Sequence, residues 1–453
     1  MLTGVWLLVA LIVSIIVMIF MISKLKVHPF LAILTVSTVL ALFSLPIDEI
    51  PGTINAGFGG TMTSIGIVII LGSLIGFVVE KTGAAVKIAD VVVRLVGKRF
   101  PELALLIMGW IVSIPVFCDS GFVILSPIRK SLRARTKKSA VAMTVCLSLG
   151  LYASHVFIPP TPGPVAAAAY LGLADNLLLV IGMGALVSVF ALVPSYLFAK
   201  YIGKRVQSKE DRDQEIQDSF EELKDEYGKL PNAWLSFAPI VIPVLAMALG
   251  SLANIFGWGR FFTFIGAPVI ALFIGVIMSV ILLFVTGQIK DFNPLTNENL
   301  KIVGPIIFIT AAGGVLGRVI ADAGVVEFVK ENAGNLRMLG ILFPFIIAAI
   351  LKIAQGSSTV AITTTAAMMG LFTDPNSITA ALGFTTPAAA ALVVMAIGAG
   401  SMTVSHANDS YFWVVTNLSG LSAEQGYKTQ TLGTLVSGIG AVIGIALLSL
   451  VFM

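Results

Sequence analysis

Charge is what this chain has least of. Asp, Glu, Lys and Arg make up 11% of its 453 residues, against about 25% in a soluble domain. A soluble protein of this length needs far more charge to cover its cores. Cysteine is nearly absent. Cys118 and Cys146 both lie inside apolar segments, so no secreted disulfide scaffold is indicated, and their setting fits a reduced inner-membrane protein. Histidine occurs three times, as His28, His155 and His406. The sequence has no P-loop, no GxSxG elbow, no metal-ligand spacing and no visible nucleophile–base set. An enzyme is therefore not expected, nor a cofactor, and any pumping would draw on an ion gradient. A cleavable leader is not indicated either. Residues 4–23 run without a charge, no basic residue precedes them, and Lys24 and Lys26 follow.

What is abundant is apolar sequence: 57% of residues are hydrophobic and the mean hydropathy is +1.00. Apolar stretches recur near 4–23, 28–46, 58–80, 102–128, 139–171, 174–202, 234–255, 264–286, 302–321, 337–371, 384–416 and 430–452. Most reach the roughly 20 residues that a spanning helix needs. The alternating ten-residue segments of a membrane β-barrel are missing. The fold expected is an all-α integral membrane protein.

The net charge of +4 points to membrane orientation and not to nucleic acid, because the basic residues sit between apolar runs. Two stretches, 102–128 and 337–371, carry polar and Gly or Pro clusters at mid-length and read as re-entrant hairpins. With the N-terminus outside and both hairpins returning to their own side, 23 of the 28 Lys and Arg fall on inner loops. Treating either hairpin as a crossing flips every later loop and degrades that asymmetry. The expected count is about ten spanning helices plus two hairpins.

Residues 204–233 are charged, contain no span and split the chain nearly in half. The halves resemble each other. Gly72, Gly76 and Gly83 match Gly313, Gly317 and Gly324 at one constant offset, and Ser154-His155 is repeated as Ser405-His406. By the topology above the two repeats are inverted, as in many secondary transporters. The expected organisation is an N-terminal half, 1–203, with scaffold helices 1–57, a transport core 58–171 and a helix 174–202. A cytoplasmic linker, 204–233, follows. The C-terminal half, 234–453, has scaffold helices 234–286, a transport core 302–417 and a helix 430–452. A homodimer through the outer helices is expected.

Chemistry concentrates in four segments. The first hairpin, SIPVFCDSGFVILSP (113–127), holds one carboxylate, Asp119, beside Ser120. An ionisable group at this depth marks a proton or substrate-coupling site, although Asp119 can also cap a helix starting near Gly121. The second hairpin turns at Gln355-Gly356-Ser357-Ser358-Thr359. The helix after it presents free N–H groups and a positive dipole end, which is an anion site. Lys352, one turn earlier, would add charge for a carboxylate or pair with Asp119 or Asp409. The first broken span, YASHVFIPPTPGPVAAAA (152–169), cannot continue a helix through its prolines and should expose carbonyls over 158–164. Its partner, TVSHANDSYFWVV (403–415), packs His406, Asn408, Asp409 and Ser410 together. His155 and His406 suit proton coupling or serve as structural donors. His28 reads as interfacial.

The segments IPVFCDSGFVIL, HVFIPPTPGPVAAA, QGSSTVAITTTAA and SHANDSYFW, in this order over nearly the whole length, resemble the gluconate permease family of the ion transporter superfamily. The resemblance implies a proton symporter for gluconate, a related sugar acid, glycerate or D-serine. One departure concerns the first hairpin, where gluconate and D-serine members carry a phenylalanine pair before the acid. Here Cys118-Asp119-Ser120 follows Phe117. A hydroxylated carboxylate is thus implied more firmly than any one of them. In the expected mechanism Ser120, Ser357, Ser358, Thr359, Gly356 and Lys352 hold a small organic anion, while Asn408 and Thr161 meet its hydroxyls. A proton rides on Asp119 or Asp409, through His155 or His406. A sodium-coupled symporter is the alternative, with backbone carbonyls at 158–164 and 355–359 as ion ligands. The expected location is a bacterial inner membrane.

Overall fold

The computed structural model describes residues 2, 4–92, 94, 100–212, 230–324, 340–406 and 409–452. Every regular element among them is helical. The first half holds α1 (Gly4–Ser23), α2 (Pro29–Ser44), α3 (Ile50–Lys81), α4 (Ala84–Val92), α5 (Pro101–Val112), α6 (Cys118–Thr136), α7 (Ala140–Phe157), α8 (Pro162–Tyr170) and α9 (Leu177–Ile202). The second holds α10 (Ala233–Phe256), α11 (Pro268–Val285), α12 (Phe292–Asp322), α13 (Leu342–Gln355), α14 (Ser358–Met369), α15 (Pro387–Met402), α16 (Ser410–Leu418) and α17 (Leu432–Phe452). Among the described residues, seven helices are long and apolar enough to cross a membrane. The sequence suggested about ten spans. The difference lies in helices such as α2 and α15, each 16 residues long, which reach only about 24 Å against a hydrocarbon core of about 30 Å.

Two helices are longer than the hydropathy predicts. The apolar stretches begin at 58 and 302, but α3 starts at Ile50 and α12 at Phe292. Glycine-rich sequence at the start of α3 stays helical because that helix lies directly on α12. A Cβ at Gly57 would come within 2.7 Å of the Gly314 carbonyl oxygen, so only glycine permits the contact. The cost of glycine in a helix, about 1 kcal/mol relative to alanine, is offset by that packing.

Both expected hairpin regions are pairs of helices in contact, α5 with α6 and α13 with α14. Close approach seats them. A Cβ at Gly76 would lie 1.9 Å from the Pro115 carbonyl oxygen, and one at Gly317 would lie 2.3 Å from that of Ala367. The proline-rich break is shorter than expected. Only Ile158–Thr161 leaves the helix, because Pro162 occupies the first helical position, where no N–H is required. The Pro159–Pro160 peptide is cis.

The centre of the molecule is made of α7, α14 and α15, whose described residues are almost all buried. α7 packs on α5, α9 and α15; α15 packs on α13, α17 and α14. α2 lies on α12 and α11 on α3, with α1 against α2 and α10 against α11.

The start of the expected linker is not simply a solvated tether. Arg129 of α6 is fully buried, and its guanidinium grips Glu210 through two bonds of 2.7 and 2.9 Å. It also reaches the Leu418 carbonyl at 3.4 Å. Asp211 accepts from the Ala140 amide at 2.8 Å. Residues 207–212 thus strap α6, α7 and the end of α16 together. The rest of the linker, 213–229, lies outside the described residues. Removing one partner of such a buried pair leaves the other charge uncompensated, at a cost of about 3–5 kcal/mol. Arg129→Met is expected to lower the melting temperature in detergent sharply, and Glu210→Gln added to it should recover part of the loss. An unchanged melting temperature would show that the strap bears no load.

Candidate functional site

Four segments converge on one cavity of about 520 Å³. The N-cap and first turn of α6 bring Phe117, Cys118, Asp119 and Ser120; the turn into α14 and its first residues bring Gly356, Ser357, Ser358 and Thr359. The end of α7 adds Tyr152 and His155, and the start of α16 adds Asp409, Ser410 and Tyr411. Ile302, Ile306 and Ile309 of α12 and Phe77 of α3 close it with an apolar wall.

Three helix N-termini face this space, those of α6, α14 and α16. Each carries first-turn amides without intrahelical acceptors and a positive dipole end. At α14, Ser357 is the N-cap, its hydroxyl accepting from the Val360 amide at 3.3 Å. At α16, Asp409 is the N-cap and accepts from the Tyr411 amide at 3.0 Å. At α6 the N-cap is Phe117, with no side-chain cap bond. Helix α6 begins at Cys118, three residues before Gly121, so Asp119 stands inside its first turn and is not its cap.

The two carboxylates are in opposite circumstances. Asp409 is 6% exposed and fully engaged. Its carboxylate accepts from Lys352 Nζ at 2.6 Å, from the Ser405 hydroxyl and from the Tyr411 amide. Lys352, 1% exposed, also donates to the Gly356 carbonyl, and its ammonium lies 5.7 Å from the centre of the Tyr152 ring. Lysine therefore holds the second hairpin tip to α16 and does not line the cavity. Asp119 lines the cavity, and among the described residues it meets only neutral donors: the Ser410 hydroxyl at 3.2 Å and the Cys118 thiol at 3.7 Å.

The histidines are not equivalent. His155 lines the cavity, stacks near Tyr152 and Phe117, and its Nδ1 is buried with no hydrogen-bond partner among the described residues. His406 turns away; its Nε2 lies 3.0 Å from the Ile353 carbonyl. In the repeated Ser-His pair it is Ser405 that reaches the acid. Thr161 does not line the cavity, since its hydroxyl bends back to the Ile158 carbonyl at 2.7 Å. Asn408 lies outside the described residues. The sequence reading missed Tyr152, Tyr411 and Ser405. Tyr152 had a signal, lying one helical turn before His155 on the same face. Among the described residues no three His, Cys, Asp or Glu side chains form a metal-binding group.

The buried Lys352–Asp409 pair yields a stability prediction. Lys352→Met strands a carboxylate and should cost about 3–5 kcal/mol. Adding Asp409→Asn removes that charge and keeps the helix cap, so the double variant should recover most of the loss in a thermal melt. A double variant no more stable than the single one would show that the charge pair is not what holds the tip.

Residues 6–451 match the GntP family permease. The chain is 33% identical over 446 residues to the inner membrane permease YgbN of Escherichia coli (strain K12), covering 94% of each. It is 30% identical over 454 residues to a gluconate permease of Zymomonas mobilis, covering 97% of each. The YdaH transporter of Alcanivorax borkumensis, whose crystal structure reveals an unusual topology, is similar in fold. The TM-score is 0.61 at 14% identity, over 93% of this chain and 97% of that one. The match over nearly the whole length, on a run of long apolar helices, identifies the chain as a permease of the GntP family.

Proposed function

We propose that this permease is a proton-coupled symporter of a small hydroxylated carboxylate, gluconate or a related sugar acid, in a bacterial inner membrane. The observation that carries the reading is the convergence of three helix N-termini and one loosely held carboxylate on a single cavity. The α6 and α14 termini supply amides for a carboxylate. Hydroxyls of Ser120, Ser357, Ser358 and Thr359 stand beside them for the substrate's own hydroxyls.

The coupling follows from charge. Lys352 and Asp409 cancel each other, so Asp119 is the uncompensated acid lining the cavity. An anion bound beside an ionised Asp119 meets like-charge repulsion in a low-dielectric site. A proton on Asp119 removes the repulsion and gives the acid a hydrogen to donate. Substrate and proton then bind together. His155, with its unpartnered ring nitrogen, is placed to pass the proton. The sodium alternative has less support. Two of the carbonyls it would use, those of Ile158 and Gly356, already accept from Thr161 and Lys352.

The architecture proposed is two inverted repeats, each with a re-entrant hairpin and a broken helix. Paired contacts support it. α2 on α12 is matched by α11 on α3, α5 on α7 by α13 on α15, and α7 on α9 by α15 on α17. The hairpins cross over: α6 meets α16 and α14 meets α8. Gly83 and Gly324, aligned in the sequence, both adopt positive φ, 72° and 77°. With the N-terminus outside, the cavity lies toward the cytoplasmic ends of α3 and α12.

In proteoliposomes, uptake of gluconate should follow the proton gradient and be indifferent to sodium. Asp119→Asn is expected to abolish accumulation while the protein still inserts; concentrative uptake by that variant would refute the role. Ser358→Ala should weaken half-saturation about threefold to tenfold, the loss of one hydrogen bond to a substrate hydroxyl. An unchanged half-saturation concentration would remove Ser358 from the site.

A further inference from the structure

A second cavity, of about 220 Å³, lies on the same helices as the first, further along. The first ends on Ile309 of α12 and Val360 of α14; the second begins at Gly314 of α12 and Ala367 of α14. At the helical rise per residue the partition between them is about 7–10 Å thick. On α3, Phe77 faces the first cavity, while Gly57 and Thr61 face the second. The two hollows therefore sit at opposite ends of one seam between α3, α12 and α14.

The partition is rich in hydroxyls. Tyr170, the last residue of α8, reaches across it. Its phenol donates to the Thr310 carbonyl and accepts from the Thr61 hydroxyl at 3.4 Å. Thr310, Thr363, Thr364 and Thr365 stand at the same level, each 1% exposed. The hydroxyls of Thr364 and Thr365 have no partner among the described residues. The Thr363 hydroxyl donates to the Val360 carbonyl at 3.2 Å. Arg318, paired with Asp322 at 2.9 Å, is the cation lining the second cavity.

We infer that the second cavity is the opposite mouth of the anion's path and that Tyr170 is the gate between the two. This rests on the reading of the first cavity as the substrate site. Arg318 offers a charge-assisted contact to the anion's carboxylate.

The test uses two reporters in the full chain in proteoliposomes, Ser120→Cys in the first cavity and Ala321→Cys in the second. A charged, membrane-impermeant thiol reagent is added to one face or the other. Cys146 is buried, but Cys118 lines the first cavity, so both reporters are built on Cys118→Ser, and that variant without a reporter is the blank. Ser120→Cys should react faster from one face and Ala321→Cys from the opposite face. Adding Tyr170→Ala should bring the ratio of the two rates toward one, by about tenfold or more. Tyr170→Phe keeps the ring and removes both hydroxyl bonds, so it should shift the ratio in the same direction, and it carries the test if the alanine variant does not fold. Reaction of both reporters from the same face, or ratios unmoved by the Tyr170 variants, overturns the inference. These readouts need no substrate, so they fail separately from the gluconate uptake that tests the first cavity.

Discussion

A helix broken inside a bilayer frees backbone groups that lipid cannot satisfy. This chain breaks helices at four places around one cavity, and its local chemistry follows from repairing them. The Ser113 hydroxyl donates to the Val116 carbonyl at 2.8 Å, and Thr161 donates to the Ile158 carbonyl. Lys352 donates to the Gly356 carbonyl. Ser405 is held at both ends: its amide donates to the Thr434 hydroxyl at 2.9 Å and its carbonyl accepts from Thr431 at 2.6 Å. The repairs are mostly to carbonyls. What stays available is the donor side, the first-turn amides of α6 and α14. A site left rich in donors selects an anion.

The same constraint divides the ionisable residues by task. A buried ion pair contributes little net stability but is costly to break. Lys352 and Asp409 fit that role: together they lock the second hairpin tip to α16, and both are nearly inaccessible. Asp119 sits on the first hairpin and has no ion-pair partner among the described residues. The two acids looked interchangeable as proton carriers while only their types and depths were known. Geometry separates them: both line the cavity, but Asp409 is consumed by its ion pair and its cap bond, while Asp119 bonds to a hydroxyl and a thiol.

The scarcity of charge made much of this legible in the sequence. With 11% charged residues, each acid, lysine or histidine at membrane depth stood out, and Asp119, His155 and Asp409 all line the cavity. The hydroxyl-rich turn at Gly356–Thr359 was also legible, since glycine and serine in an apolar run mark a broken helix. Three things were not legible. The extent of α3 depends on a long-range crossing at Gly57 and Gly314, which hydropathy cannot register. The rotations of Thr161 and His406 depend on nearby carbonyls, those of Ile158 and Ile353, that composition does not reveal. The two cavity tyrosines were the third: Tyr411 reads as an ordinary apolar residue, and Tyr152 is marked only by its place one turn before His155. Their hydroxyls tie three helices at the centre, Tyr411 to the Ser148 carbonyl at 2.9 Å and Tyr152 to that of Ser401 at 3.5 Å.

The shape of the proposed site also bears on which carboxylates it would accept. One side is amide and hydroxyl; the other is Ile302, Ile306, Ile309 and Phe77. A purely apolar acid would leave the serine and threonine hydroxyls facing an unmatched surface, and sites built to bond a hydroxyl reject ligands lacking it far more strongly than they reject a missing methylene. A ligand polar on every side would instead waste hydrogen-bonding capacity against the isoleucines. An extended sugar acid meets both demands, with oxygens along one edge and C–H groups along the other. The apolar wall, as much as the hydroxyls, is what favours a hydroxylated carboxylate over a dicarboxylate, whose second charge would have no amide terminus to meet on the isoleucine side.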